Sequence, residues 1–180
     1  MTVCGLFTAL IAAGAFIQIT IPVQPVPMHF TLQWFFVLLA GFLLGGRRGA
    51  VSVLVYLMVG LLGVPVFASG GGPAYLLRPT FGFLLGFAAA AWVVGTLCGR
   101  ERAAGFRRLF LAAAAGMAVY YTLGIMYFYV ISNYVILIPV GWKLVLVNCF
   151  FLTAGGDLVL CALAASAAVK MRAALKAGLF

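Results

Sequence analysis

The sequence predicts an all-α membrane protein: six transmembrane helices in one compact bundle, residues 1–180 as a single domain, with an outward-facing ligand pocket and both termini cytoplasmic. Three observations predict it. Hydrophobic residues make up 67% of the chain, charged residues only 7%, and the mean hydropathy is +1.26. That composition cannot cover the surface of a water-soluble domain. Apolar runs approaching the roughly 20 residues needed to span a bilayer recur between breaks at proline, glycine and charge. Lys and Arg gather in alternate connections, as they do on the cytoplasmic side of membrane proteins.

The first span is read at 3–20. No Lys or Arg precedes Arg47, so the basic start of a cleaved leader is missing and the segment is read as retained. Within it Gly5, Ala9 and Ala13 recur at four-residue spacing, which makes a smooth strip on one helical face. Such strips serve close helix approach, either inside the bundle or against a partner. In IPVQPVPMHFTLQ, Pro22, Pro25 and Pro27 exclude helix and hold an extended path. The path brings Thr31 and Gln33 to the outer mouth of span two, read at 32–46. A stiff connection with ordinary polar caps is the plainer reading of the same residues.

Span three is read at 49–67, followed by SGGGPAYLLRPTFGF, Ser69 to Phe83. Here Gly70, Gly71 and Gly72 permit turns, while Tyr75, Arg78 and Thr80 offer polar groups. Arg78 either snorkels to lipid phosphate or meets a ligand. Spans four to six are read at 81–99, 109–131 and 155–171. The nearly continuous apolar run from Tyr134 to Val169 is too long for one span. Gly155-Gly156 is therefore expected to separate a short outer helix from the last span, leaving Asp157 in the first turn of the final helix.

The basic residues orient this arrangement. Arg47, Arg48, Arg100, Arg102, Arg107, Arg108, Lys170, Arg172 and Lys176 fall on one side, and only Arg78 and Lys143 on the other. The net charge of +9 is thus a topology signal rather than a nucleic-acid footprint. Cys4, Cys98, Cys149 and Cys161 lack C-x-x-C spacing and read as packing residues. His29 is the single histidine, which excludes a multi-His metal site and leaves it as loop polar surface. The only acids are Glu101, in a cytoplasmic loop, and Asp157, too few for paired-carboxylate catalysis. No G-x-x-x-x-G-K-[ST] occurs, so ATP-driven work would need another subunit.

An ionised side chain at a helix centre costs about 2.5–3.5 kcal/mol on insertion scales, and intramembrane ionisable residues are functional suspects by default. Asp157 either meets a ligand or caps its own first turn. With Arg78, and Lys143 as a weaker candidate, at a cationic end and aromatic walls between, it outlines a pocket. Such a pocket suits a small, largely apolar molecule carrying N–H donors at one end and a carboxylate at the other.

The ordered motifs PVPMHFTLQWFFVLLAGFLLGGRRGAVSVLVYLMVGLLGVPVF, a glycine run, RPTFGFLLGF and GGDLVLCALAA resemble the BioY family, the biotin-specific membrane subunits of energy-coupling-factor transporters. The resemblance covers most of the chain and is weakest between residues 100 and 150. It implies a six-helix subunit in the cell membrane, without a cofactor, that captures biotin outside and works with a transmembrane coupling subunit and two ATPases. It makes Asp157 the expected acceptor for the ureido N–H groups, and Ala9 and Ala13 the expected docking surface for the coupling subunit. Leu160 stands where the family often has lysine, and Phe83 where tyrosine is frequent. Arg78 is accordingly expected to take over the carboxylate contact. Two alternatives stay open: a subunit of the same kind for another vitamin, and a self-contained carrier in which Asp157 binds protons or ions.

Overall fold

The structure, a computed structural model, describes residues 2–22, 27–99 and 104–176. Pro25 of the outer loop and Arg100, Glu101 and Arg102 of the basic loop lie outside the described residues. The elements run α1 (Thr2–Phe16), β1 (Gln18–Ile21), β2 (Met28–Thr31), α2 (Gln33–Leu44), α3 (Gly46–Leu61), α4 (Phe81–Cys98), α5 (Phe106–Val130), α6 (Trp142–Leu146) and α7 (Ala154–Lys176).

Span one is shorter than expected because its last residues form a strand. Ile17, Ile19, Thr20 and Ile21 are β-branched and favour extended backbone, and Pro22 follows them. Gln18–Ile21 pairs antiparallel with Met28–Thr31, Gln18 opposite Thr31 and Thr20 opposite His29. The Leu32 amide closes the base of this hairpin on the Ile17 carbonyl at 3.0 Å. The segments on either side of the proline-rich path, Gln18–Ile21 and Met28–Thr31, therefore form an antiparallel strand pair, the hairpin, at one end of the bundle.

Three helical stretches among the described residues are long and apolar enough to cross a membrane: Phe81–Cys98, Phe106–Val135 and Trp142–Ala174. α1, α2 and α3 have 15, 12 and 16 residues. At about 1.5 Å per residue, each is shorter than a hydrocarbon core of about 30 Å. Span three was read through to residue 67, but α3 stops at Leu61, where Gly63 (φ 106°) and Pro65 turn the chain back.

The long apolar run near the C-terminus divides differently from expectation. α5 loosens into a π-helical turn over Ile131–Val135. Asn133 then staples the reversal, its side chain accepting from the Val140 amide at 3.1 Å and donating to the Val140 carbonyl at 3.2 Å. After α6 and a second π-helical turn, Val147–Phe151, the break comes at Leu152-Thr153. Gly155 and Gly156 lie inside the first turn of α7 rather than separating two helices. The pair has a packing role instead: a Cβ on Gly156 would sit 2.6 Å from the Phe30 ring, so glycine lets the hairpin close onto α7.

One end of the bundle collects most of the described cations. Cys4 of α1 reaches the Arg48 carbonyl at 3.9 Å, and Arg108 reaches the Leu97 carbonyl at 3.5 Å. Arg172, expected only as a topology signal, is buried and donates Nε and Nη2 to the Phe42 carbonyl at 3.2 and 2.5 Å. It thereby satisfies an orphan carbonyl near the end of α2. The hairpin and the glycine-rich loop lie at the opposite end.

Candidate functional site

At that opposite end, the hairpin, α2, the loop from Ala68 to Thr80, α4, α5 and the start of α7 enclose a cavity of about 80 Å³. Its floor is organised by Asp157, which is only 3% exposed. The carboxylate does not cap its own helix. Its Oδ2 accepts from the Tyr120 hydroxyl and, at 2.5 Å, from the Tyr121 hydroxyl, both on α5. The Tyr121 hydroxyl also meets Thr153 Oγ1 at 2.7 Å, and Thr153 donates to the Cys149 carbonyl at 2.9 Å. With both bonds on Oδ2, Oδ1 is the oxygen available to a ligand.

Close helix approach places the tyrosines. A Cβ at Gly86 of α4 would come within 2.8 Å of the Tyr120 Cα, so a glycine there lets α5 press against α4. The Tyr120 ring then lies 4.6 Å from Trp34 and 5.3 Å from Phe87, centroid to centroid, with Phe83 at 5.9 Å. These rings make an aromatic box above the carboxylate, suited to a flat or fused apolar ring. Trp34 is held in turn by its indole N–H, which donates to Cys161 Sγ at 3.4 Å. Cys161 thus does more than pack.

The polar side of the cavity runs through Gln33, which is 2% exposed. Its amide donates to the Tyr56 hydroxyl at 2.7 Å and accepts from Thr31 at 3.3 Å, while Tyr56 donates onward to the Val66 carbonyl at 3.2 Å. A buried amide tied at both ends presents its remaining polar capacity in a fixed direction.

Tyr75, Thr80 and His29 complete the wall toward the rim. His29 joins hairpin to loop, with Nδ1 3.1 Å from Thr20 Oγ1 and Nε2 2.9 Å from Ser69 Oγ. Partial burial, and after it the charge of Arg78, hold His29 below its ordinary value of 6.5. Gln18 adds a second tie, donating to the Ala68 carbonyl at 3.1 Å.

Of the residues singled out in the sequence, Asp157, Thr31, Gln33, Tyr75 and Thr80 line the cavity together. Arg78 does not. It is exposed, with its guanidinium carbon 4.9 Å from the centre of the Tyr75 ring on the cavity wall, a cation–π contact at the rim. Lys143 is exposed on α6 and is not part of the lining. Ala9 and Ala13 are exposed, as is Gly5, while Phe7, Ile11, Gly14 and Ala15 form the buried face of α1. The strip is therefore not internal packing. Sequence reading missed Tyr120, Tyr121, Thr153, Trp34 and Phe87, and it left His29 as loop surface.

A helical membrane bundle with an aromatic, carboxylate-floored cavity at the end away from its basic cluster has the architecture of a membrane-embedded small-molecule-binding protein. The chain belongs to the BioY family, whose model matches residues 1–177. It is 43% identical over 143 residues to the probable biotin transporter BioY of Lysinibacillus sphaericus, covering 79% of this chain and 71% of that protein. The biotin transporter BioY of Thermotoga maritima is 42% identical over 132 residues, covering 73% of each. The probable biotin transporter BioY of Pyrococcus horikoshii is 40% identical over 128 residues, covering 71% of this chain and 72% of that one. A crystal structure of the S-component for biotin from an ECF-type ABC transporter superposes with a TM-score of 0.76, over 95% of this chain and 89% of that one. At 22% identity that likeness is one of fold. The chain is a membrane protein of a transporter family and not an enzyme.

Proposed function

We propose that this chain captures biotin from outside the cell membrane in the Asp157 cavity. It then delivers the vitamin inward with a transmembrane coupling subunit and two ATPases. The observation that carries this reading is the carboxylate floor: two tyrosines hold Oδ2 and leave Oδ1 for the N–H donors of a ureido ring. The box of Trp34, Phe87 and Tyr120 suits the fused thioether ring above it. Relatives named as biotin transporters at 40–43% identity support the choice of ligand.

Arg78 serves the valerate carboxylate from the rim in this reading, and Lys143 takes no part. The basic end faces the cytoplasm by the positive-inside rule, so the cavity faces out and both termini lie inside. All six major helices cross the membrane, α1 to α3 as short spans accommodated by local thinning or snorkelling. At about 80 Å³ the cavity is tighter than the roughly 300–1,000 Å³ of ligand pockets. The hairpin, held to the loop by the Gln18 and His29 bonds, is the wall that gives way on entry.

The test is equilibrium titration of the purified subunit with biotin, biotin amide, thiamine and riboflavin. Saturable binding of biotin is expected, with Arg78→Gln weakening the acid and sparing the amide. Tight binding of another vitamin without saturable biotin binding would overturn the assignment.

A further inference from the structure

α4 and α5 pack against each other more extensively than any other pair of described helices, and glycines on both make the approach possible. On α4, a Cβ at Gly86 would come within 2.8 Å of the Tyr120 Cα, and one at Gly82 would strike the Tyr127 side chain. On α5, a Cβ at Gly124 would overlap the ring of Phe83, 2.7 Å from its Cγ and closer still to Cδ1 and Cε1. Phe83 lines the cavity. We propose that Gly124 and Phe83 together set the width of the cavity and so limit the bulk of the ring system the protein accepts. The proposal rests on the biotin reading of the same cavity and adds which residues measure the ligand.

The direction in which Phe83 would yield carries the argument. A Cβ at Gly156 would also meet a lining ring, Phe30, but only at its far end, 2.6 Å from Cζ and 2.8 Å from Cε2, which a small rotation withdraws. At Gly124 the overlap reaches the root of the ring, so the whole Phe83 side chain must swing. The helices cannot part to relieve it, because the contacts at Gly82 and Gly86 hold α5 on either side of Phe83. Tyr120 and Tyr121 stand edge-on to Phe83, with centroids 5.9 and 6.2 Å away, and their hydroxyls are fixed on Asp157. The open space left beside the ring, among the described residues, is the cavity. The bare backbone of Gly124 is thus the seat that keeps Phe83 out of the ligand's volume, a positioning residue that acts through the ring.

Interiors are close-packed, so a displaced ring is felt by whatever shares its space. Dethiobiotin lacks the sulfur that closes the second ring and is slimmer than biotin. Biotin sulfone carries two further oxygens on that sulfur and is bulkier. Filling the seat at residue 124 therefore favours the slim analogue, and removing the Phe83 ring favours the bulky one.

The experiment is equilibrium titration of the full chain in detergent with biotin, dethiobiotin and biotin sulfone. One methylene in an apolar pocket is worth roughly 10–200-fold, so Gly124→Ala should lower biotin affinity about tenfold and dethiobiotin affinity less than about threefold. Phe83→Ala should shift the preference the other way, raising the affinity for biotin sulfone relative to biotin about fivefold or more. On the Phe83→Ala background, Gly124→Ala should cost less than about twofold, because the group it displaces is gone. A glycine needed only for folding would lower all three affinities alike and would not be rescued. Equal losses for biotin and dethiobiotin overturn the proposal, as does an equal cost of Gly124→Ala on both backgrounds. If Gly124→Ala yields no folded protein, Phe83→Ala decides, and an unchanged ratio of sulfone to biotin affinity overturns the proposal. Wild-type protein that fails to bind biotin overturns this inference together with the reading it rests on, whereas wild-type binding with unshifted ratios in the variants overturns this inference alone.

Discussion

Asp157 and the two tyrosines that hold it act as one unit, and each can be probed by removing a single atom or charge. Asp157→Asn keeps the side-chain volume and an oxygen that can still accept. What it loses is the charge behind the bonds to Tyr120, Tyr121 and the ligand. Hydrogen bonds to charged groups contribute about 1.5–3 kcal/mol, so biotin affinity should fall about tenfold to a hundredfold, measured by titration calorimetry on folded protein. Tyr121→Phe removes one of the two donors on Oδ2 and the bridge to Thr153. It should weaken binding less, because Tyr120 still orients the carboxylate. Normal biotin binding by Asp157→Asn would remove the carboxylate from the site altogether. Asp157 was conspicuous in the sequence because it is one of two acids in an apolar chain. Its tyrosine partners lie on a different helix, and a Tyr-Tyr pair in an apolar span reads equally as lipid-facing or core. The close approach of α4 to α5, as at Gly86, selects between them.

The hairpin is the element whose stability should depend on pH. His29 is held below 6.5 by partial burial and then by Arg78, so the folded hairpin favours neutral imidazole and the unfolded chain binds the proton more readily. By linkage, stability then rises with pH. The contribution is complete above the ordinary value of 6.5 and is lost as pH falls through the lower folded value. Hydrogen exchange of the Gln18–Thr31 segment, corrected for intrinsic rates, should quicken between about pH 7.5 and about pH 5.5. His29→Gln should abolish the difference. Exchange that is equally pH-dependent in the variant would assign the effect to another group. The strand β1 escaped the sequence reading because Ile-Thr-Ile at the end of an apolar run is as acceptable to a membrane helix as to a strand. Pairing of Gln18–Ile21 with Met28–Thr31 decides the matter, and a long-range pairing leaves no periodicity in either segment alone. Gly155-Gly156 misled for the opposite reason: glycine suggests a break, but here it makes room for Phe30.

At the scale of the whole molecule, the basic residues foretold which connections share an end. The structure agrees where they are described: Arg48 beside Cys4, Arg108 beside Leu97 and Arg172 beside Phe42. What charge counting could not supply is which outer faces of the bundle stay uncovered, since burial depends on how the helices pack. α1 turns Phe7, Ile11, Gly14 and Ala15 inward and leaves Ala9 and Ala13 exposed on the other side. A strip without side-chain bulk admits a second helix at close range, and the association is driven by packing, because lipid tails are as apolar as the helix itself. Ala9→Trp with Ala13→Trp should therefore prevent co-purification with the coupling subunit. Because neither side chain faces the α1 core or the cavity lining, biotin affinity of the isolated subunit should stay within about twofold, less than about 0.5 kcal/mol. The measurements are a tagged pull-down from co-expressing cells and a parallel biotin titration. An intact complex with the double variant would move the docking surface elsewhere on the bundle, whereas lost biotin binding with the complex retained would mean that α1 communicates with the cavity through its packing on α2.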